Sequence, residues 1–181
     1  MSTKESVKVE IKETLRSSNF DRRFSEEIMG HPGGEKLLLC YQCGSCVGSC
    51  PSGKLTDAFN PRRIIKMSLL GLRNKVLSGK SIWLCASCYA CQERCPQGVE
   101  PADLMLAIRN VAIKEGYVPK LSIDQASALI ESGRIAKITR LTEKRRVELD
   151  LPSIPPASVE AIRKIAAATG FDKLVTKLEA K

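Results

Sequence analysis

Eight cysteines carry the chemistry of this sequence. They form two runs of one pattern, Cys40-x2-Cys43-x2-Cys46-x3-Cys50-Pro51 and Cys85-x2-Cys88-x2-Cys91-x3-Cys95-Pro96, with none left over. Three thiolates at three-residue intervals let one tight loop hold three irons of a [4Fe-4S] cube while its amides hydrogen-bond to the sulfurs. A fourth cysteine before proline ligates the other cube in two-cluster ferredoxins. The expectation is therefore two [4Fe-4S] clusters. The x3 gap and proline turn the chain away from the loop, which assigns cluster one to Cys40, Cys43, Cys46 and Cys95 and cluster two to Cys85, Cys88, Cys91 and Cys50. Zinc usually draws on two well-separated pairs rather than three cysteines in seven residues, and a disulfide framework would make the duplicated pattern a coincidence.

Other chemistry has little material. With every cysteine assigned, no dithiol or open thiolate remains to attack a disulfide. There is no adjacent Cys-Cys, no plant-type C-x4-C-x2-C, and no G-x-G-x-x-G after a strand for a dinucleotide. The lone His31, in His31-Pro32-Gly33-Gly34, reads as a turn residue, and Trp83, two before Cys85, reads equally as a packing residue or a cluster shield. Neither enters the candidate sites, and no catalytic residue is expected on this chain.

The elements that must position the thiols read as helices. Asn60 caps a helix with Pro61 at its first position and Ile64, Ile65, Leu69 and Leu72 at helical spacing, followed by a short turn over Leu72 to Leu77. Pro51 and Pro96 mark turns or helix starts beyond the ligands. Pro101 opens a helix to about Glu115, with Leu104, Ile108 and Val111 on one face and Gly116 as its stop. Upstream, Val7, Val9 and Ile11 alternate with charged residues as in a short strand, and Asp21 to Met29 reads as a helix ending at Gly30. Downstream, Ser122 with Gln125 forms a capping box for a helix to Ser132, Thr142 caps one to Asp150, Ser158 one to Thr169, and a last helix runs from Asp172 to Ala180. The fold class expected is mainly α: a helical domain holding both cysteine runs over residues 32–118, an N-terminal arm over 1–31, and a helical docking extension over 119–181.

The size fits that division, since 181 residues hold one ordinary domain or two small ones. Apolar residues make up 43% and charged residues 27%, as in a folded globular chain. The formal charge of +9 falls to about +5 once two oxidised clusters with their thiolates contribute their negative charge. What is left reads as a basic surface facing acidic partner proteins; the Lys and Arg are spread along the chain, and aromatics are too few to interleave with them for nucleic acid. No apolar run approaches a membrane span and no export signal is present, so a cytoplasmic location is expected.

The segments CYQCGSCVGSCPSGK, NPRRIIKMSLLGL, WLCASCYACQERCPQGVEPADLMLAIRN and RRVELDLP together resemble the iron-sulfur C subunit of the soluble, methanogen-type heterodisulfide reductase, and the resemblance covers nearly the whole chain. Iron-sulfur subunits of glycerol-3-phosphate dehydrogenase, glycolate oxidase and fumarate reductase type share the cysteine runs and stay as alternatives; the length, the Arg62-Arg63 helix and the WLCASCYACQERCP segment favour the C subunit. The resemblance implies that residues 32–118 form an α-helical ferredoxin with two [4Fe-4S] clusters, an electron-transfer subunit of methanogenesis passing electrons from a flavin- and iron-sulfur-bearing A subunit to a catalytic B subunit that reduces the coenzyme M/coenzyme B heterodisulfide. It also implies a larger complex, in which the choice between a hydrogenase and a formate dehydrogenase as electron source is left open. The alternative class is a free ferredoxin-like carrier, which needs far fewer residues around two cubes.

Overall fold

The computed structural model describes residues 15–136 and 138–180. Every regular element among them is helical; the strand expected at Val7, Val9 and Ile11 lies outside the described residues. None of the described helices is long and apolar enough to cross a membrane. The chain divides into two compact units, Met1–Val111 and Ala112–Lys181.

The first unit holds the cysteines. Its α1 (Arg22–Met29) starts where Asp21 Oδ1 accepts from Arg23 N at 3.0 Å, and it stops at Gly30. Of the short helices that follow, α2 (Ser45–Gly48) carries Cys46 and α3 (Pro51–Leu55) starts directly after Cys50. In α4 (Pro61–Leu69), Asn60 Oδ1 accepts from Arg63 N at 2.9 Å and proline occupies the first turn, so two local signals fix the same start. α5 (Arg73–Leu77) leads through a 3-10 turn, Lys80–Leu84, to the second loop and α6 (Ala90–Glu93). α7 (Pro101–Glu115) follows, and the boundary between the units falls within it.

Apolar stripes on these helices close one core. Phe24, Ile28, Leu37, Ile64, Ile65, Val76, Leu77, Ile82, Leu104, Met105 and Ile108 are fully buried, and each large side chain so placed contributes about 1.5–3 kcal/mol relative to exposure. α1 packs on α4 and on the 3-10 turn Leu37–Leu39. Arg73 ties it down: its guanidinium lies 2.7 Å from Glu27 Oε2 and 5.3 Å from the centre of the Phe24 ring. At Gly71 (φ +73°) the chain passes so close to Asp21 that an added Cβ would stand 2.3 Å from the Asp21 carbonyl oxygen.

The second unit contains α8 (Lys120–Ser132), α9 (Arg140–Glu148), α10 (Val159–Thr169) and α11 (Phe171–Glu179), of which α8, α10 and α11 pack together. Ala128, Ala166 and Val175 are buried there, a thin core helped by Arg163 Nε, which donates to the Ile130 carbonyl at 3.2 Å at the end of α8. Two expected starts are corrected. α8 begins at Lys120, because Pro119 (φ −62°, ψ 136°) ends the extended link and Ser122 N donates to the Pro119 carbonyl at 2.9 Å, which puts Ser122 inside the first turn rather than at the cap. In α9 the cap is Thr139, whose Oγ1 accepts from Thr142 N at 3.2 Å; Thr142 is the donor. The same helix ends at Glu148 rather than Asp150, whose φ is +52°. Ser158 holds the N-cap position of α10 without a side-chain cap bond, and α11 starts from Gly170 and ends at Glu179.

Candidate iron-sulfur centre

The duplicated sequence folds into duplicated backbone. Gln42 (φ +67°) and Gly44 (φ +90°) in the first run match Ser87 (φ +49°) and Tyr89 (φ +63°) in the second. Three of these four residues are not glycine, and left-handed backbone costs such residues on the order of 1–3 kcal/mol each, a strain that collects at functional sites. Left-handed turns of this kind are where successive backbone amides can form the concavities that bind anionic sulfur clusters. α2 and α6 begin directly after the second strained residue of each loop, and they pack against each other.

No disulfide joins any of the eight cysteines. Cys50, Cys85, Cys88 and Cys91 line a single pocket whose walls include Phe59, Pro61, Ala102 and Met105. In the other set, burial first and then the negative charges of Cys40, Cys43 and Cys95 push Cys46 up to about 11, so Cys95 stands within electrostatic reach of the first run. Burial, then Cys85, then Cys46 and Cys50 push Cys91 up to about 11, so the two sets adjoin through Cys46 and Cys91. Neighbouring half-buried thiols cannot all ionise alone; a coordinating cation removes the proton outright and holds the thiolates together. No three His, Cys, Asp or Glu side chains among the described residues gather around one ion position, whereas a cube presents a separate iron to each thiolate. The donor set, the loops and the shared pocket thus fit iron-sulfur clusters.

Backbone and side chains also serve the sulfurs. Gly53 N donates to Cys50 Sγ at 3.4 Å and Val99 N to Cys95 Sγ at 3.3 Å, so each proline-flanked cysteine receives an amide from the turn that follows it. Gln42 Nε2 donates to Cys40 Sγ at 3.3 Å. Cys43 Sγ lies 3.4 Å from Ser45 Oγ, and hydrogen bonding from Ser45 holds this thiol below its ordinary range. Cys43 and Cys88, each the second cysteine of its run, are exposed.

Two polar residues on α7 support the second loop, and neither was singled out from the sequence. Asp103 accepts from Tyr89 Oη at 3.2 Å and from Gln92 Nε2 at 3.0 Å, which clamps α6. Arg109 donates through Nε to the Ile82 carbonyl at 2.9 Å and through Nη2 to the Cys85 carbonyl at 2.7 Å, with its guanidinium 5.6 Å from the centre of the Trp83 ring. Trp83 is therefore packed beneath Arg109. A charged residue one turn after the buried Met105 was the only available signal for Arg109. His31 lies in a half-buried bend after α1, apart from the cysteine loops in sequence.

Comparison with known proteins bears directly on this centre. The 4Fe-4S dicluster domain family matches residues 36–99, a span that contains all eight cysteines. The chain is 38% identical over 167 residues to the C subunit of the H2:CoB-CoM heterodisulfide,ferredoxin reductase of Methanothermobacter thermautotrophicus, covering 89% of each protein. The chain belongs to the family of heterodisulfide reductase C subunits. A second member, the C subunit of the ferredoxin/F420H2-dependent CoB-CoM heterodisulfide reductase of Methanosarcina acetivorans, is 39% identical over 80% of this chain and 92% of its own length. A protein of Archaeoglobus profundus, named for its likeness to the heterodisulfide reductase C subunit, is 31% identical over 82% and 81%. These C subunits are iron-sulfur components of a multi-subunit oxidoreductase, and the family read from the cysteine-run segments is borne out.

Proposed function

We propose that this chain is the electron relay of a cytoplasmic heterodisulfide reductase, with Cys40, Cys43, Cys46 and Cys95 holding one [4Fe-4S] cluster and Cys85, Cys88, Cys91 and Cys50 the other. The observation that carries the ligand assignment is the pocket that Cys50 shares with Cys85, Cys88 and Cys91 and not with its own run. Bound there, the clusters supply reversible one-electron carriage. The protein's own residues do the rest: the paired loops hold two ligand sets side by side through Cys46 and Cys91, amides of Gly53 and Val99 stabilise thiolate charge, and the exposed Cys43 and Cys88 give each set a face toward solvent or a partner. Electrons would enter from the flavin-bearing A subunit of the complex and leave to its B subunit, which reduces the heterodisulfide of coenzyme M and coenzyme B. That reading is supported by relatives whose names carry the CoB-CoM heterodisulfide.

The test is reconstitution. Anaerobic full-length chain reduced by dithionite and freed of excess reductant should be reoxidised by heterodisulfide only when the heterodisulfide-reducing subunit is present. Added to the flavin-bearing and heterodisulfide-reducing subunits together, it should restore electron flow from the first to the second. Heterodisulfide reduction by the lone chain, or turnover between those two subunits that is indifferent to its addition, would contradict the relay.

A further inference from the structure

Beside the exposed Cys43 runs an open groove formed by the first ligand loop and by α4. Gln42, Cys43, Gly44 and Val47 line one side; Arg62, Arg63 and Lys66 line the other. The three basic side chains are exposed, and no carboxylate among the described residues pairs with any of them. Arg62 lies directly on the ligand loop, since a Cβ at Gly44 would stand 3.4 Å from its Nη1. Arg63 donates through Nη2 to the Asp57 carbonyl at 3.4 Å, a contact that leaves its charge uncompensated.

These charges oppose the local rule for helices. The first turn of α4 contains two arginines and no acidic residue, although a helix N-terminus carries positive partial charge and favours acids. Arginines there raise the potential of the groove further. Residues that break a local preference without compensation within the fold are expected where function needs them. Beside Cys88 the second loop differs: the side chains of Tyr89 and Gln92 both donate to the carboxylate of Asp103.

Taking the cluster assignment above as its basis, we propose that the groove lined by Arg62, Arg63 and Lys66 is the docking site for an acidic face of a redox partner protein, which exchanges single electrons with the first cluster across Cys43. The step is outer-sphere: one electron leaves the partner's reduced cofactor and arrives on the cluster, or the reverse, with no bond made or broken. Charge complementarity identifies the partner's chemistry, because a positive groove surrounding an exposed ligand steers carboxylate-rich surfaces to the point of transfer.

The test uses an acidic flavodoxin as the probe, so that it stands whether or not the other heterodisulfide reductase subunits prove to be the physiological partners. Binding of oxidised flavodoxin to the cluster-loaded full chain, and the second-order rate of reduction by flavodoxin hydroquinone, are measured for wild type, for Arg62→Glu with Arg63→Glu, and for the charge-matched control Arg22→Glu with Arg23→Glu on α1. The groove variant should lose about tenfold or more in both affinity and rate at low salt, within the range of electrostatic steering, and most of the salt dependence. The α1 control should stay within about twofold on the same scale. Carbodiimide should couple flavodoxin carboxylates to Lys66 in wild type. Where the double reversal lowers iron content, Arg62→Gln with Arg63→Gln takes its place and should still weaken binding severalfold. Equal losses in groove variant and control would reduce the effect to net charge, and unchanged binding accompanied by a shifted cluster potential would make the arginines mere counter-charges to the cluster; either result overturns the proposal.

Discussion

Replacing Arg109 by Met keeps an unbranched side chain of similar reach and removes only the guanidinium. Two charge-assisted hydrogen bonds are lost, to the Ile82 carbonyl at 2.9 Å and the Cys85 carbonyl at 2.7 Å, together with the contact over Trp83. Hydrogen bonds to charged groups contribute about 1.5–3 kcal/mol each, and a cation over an aromatic ring at a partly exposed site about 0.5–1 kcal/mol. Burial opposes these gains: it holds the Arg109 pKa below its ordinary value, with Cys85 acting in the other direction. The site is half-buried, so water can reach the freed carbonyls, and the net loss is about 2–3 kcal/mol rather than the sum. At 1.4 kcal/mol per factor of ten, local opening of the second ligand loop should rise roughly 30- to 150-fold. Hydrogen exchange of amides 82–91 in the cluster-loaded chain reads that factor directly, since loop amides exchange through local opening. The potential of the cluster bound by this loop should also move negative, because a cation beside it favours the reduced state; Arg109→Lys should keep most of the potential while losing much of the protection. Exchange within about threefold of wild type, less than 1 kcal/mol by the same conversion, would refute the bracing role of Arg109.

Gly71→Ala should destabilise the first unit, because the new Cβ would meet the Asp21 carbonyl oxygen at 2.3 Å and the position has φ +73°; a cost above about 2 kcal/mol is expected from strain and overpacking together, read as faster anaerobic loss of visible absorbance in denaturant. In chain stripped of iron, the raised pKa of Cys46 and Cys91, about 11 against 9.0, means that the folded state holds protons the unfolded state releases. Stability of the stripped chain should therefore be full below pH 9 and fall as pH rises from 9 toward about 11, a trend that denaturant melts across that window will check. Anaerobically loaded protein should contain about eight iron and about eight acid-labile sulfide per chain, and elemental analysis giving four irons would leave one ligand set without a cluster.

The parts legible in the sequence were those fixed by neighbours along the chain. Asn60 and Pro61 act within one turn and set the start of α4 correctly, and Pro101 with Gly116 bracket α7 as its apolar stripe requires. The cysteine spacing announced the cluster domain because ligand loops are local structures, and its duplication is visible again in matching backbone at positions 42 and 87, 44 and 89. Where two local signals competed, the sequence misled: Ser122 and Thr142 offered cap chemistry, yet Pro119 and Thr139 stand earlier in the chain and won. Long-range partners were invisible. Asp103 reads as an ordinary first-turn acid on α7, and only the fold brings Tyr89 and Gln92 to it. Arg109 similarly resembles a helix-surface residue until the carbonyls of Ile82 and Cys85 arrive beneath it.

The exchange of fourth ligands between the two runs is tested most directly by electron paramagnetic resonance on four single variants of the full chain, purified anaerobically and reduced. Cys43→Ser and Cys88→Ser define the signals, since each replaces the second cysteine of its run. Cys95→Ser should then perturb the signal that Cys43→Ser perturbs, and Cys50→Ser, from the pocket it shares with Cys85, Cys88 and Cys91, the signal that Cys88→Ser perturbs. If Cys50→Ser instead groups with Cys43→Ser, and Cys95→Ser with Cys88→Ser, each run closes on its own cluster and the cross-ligated relay is wrong.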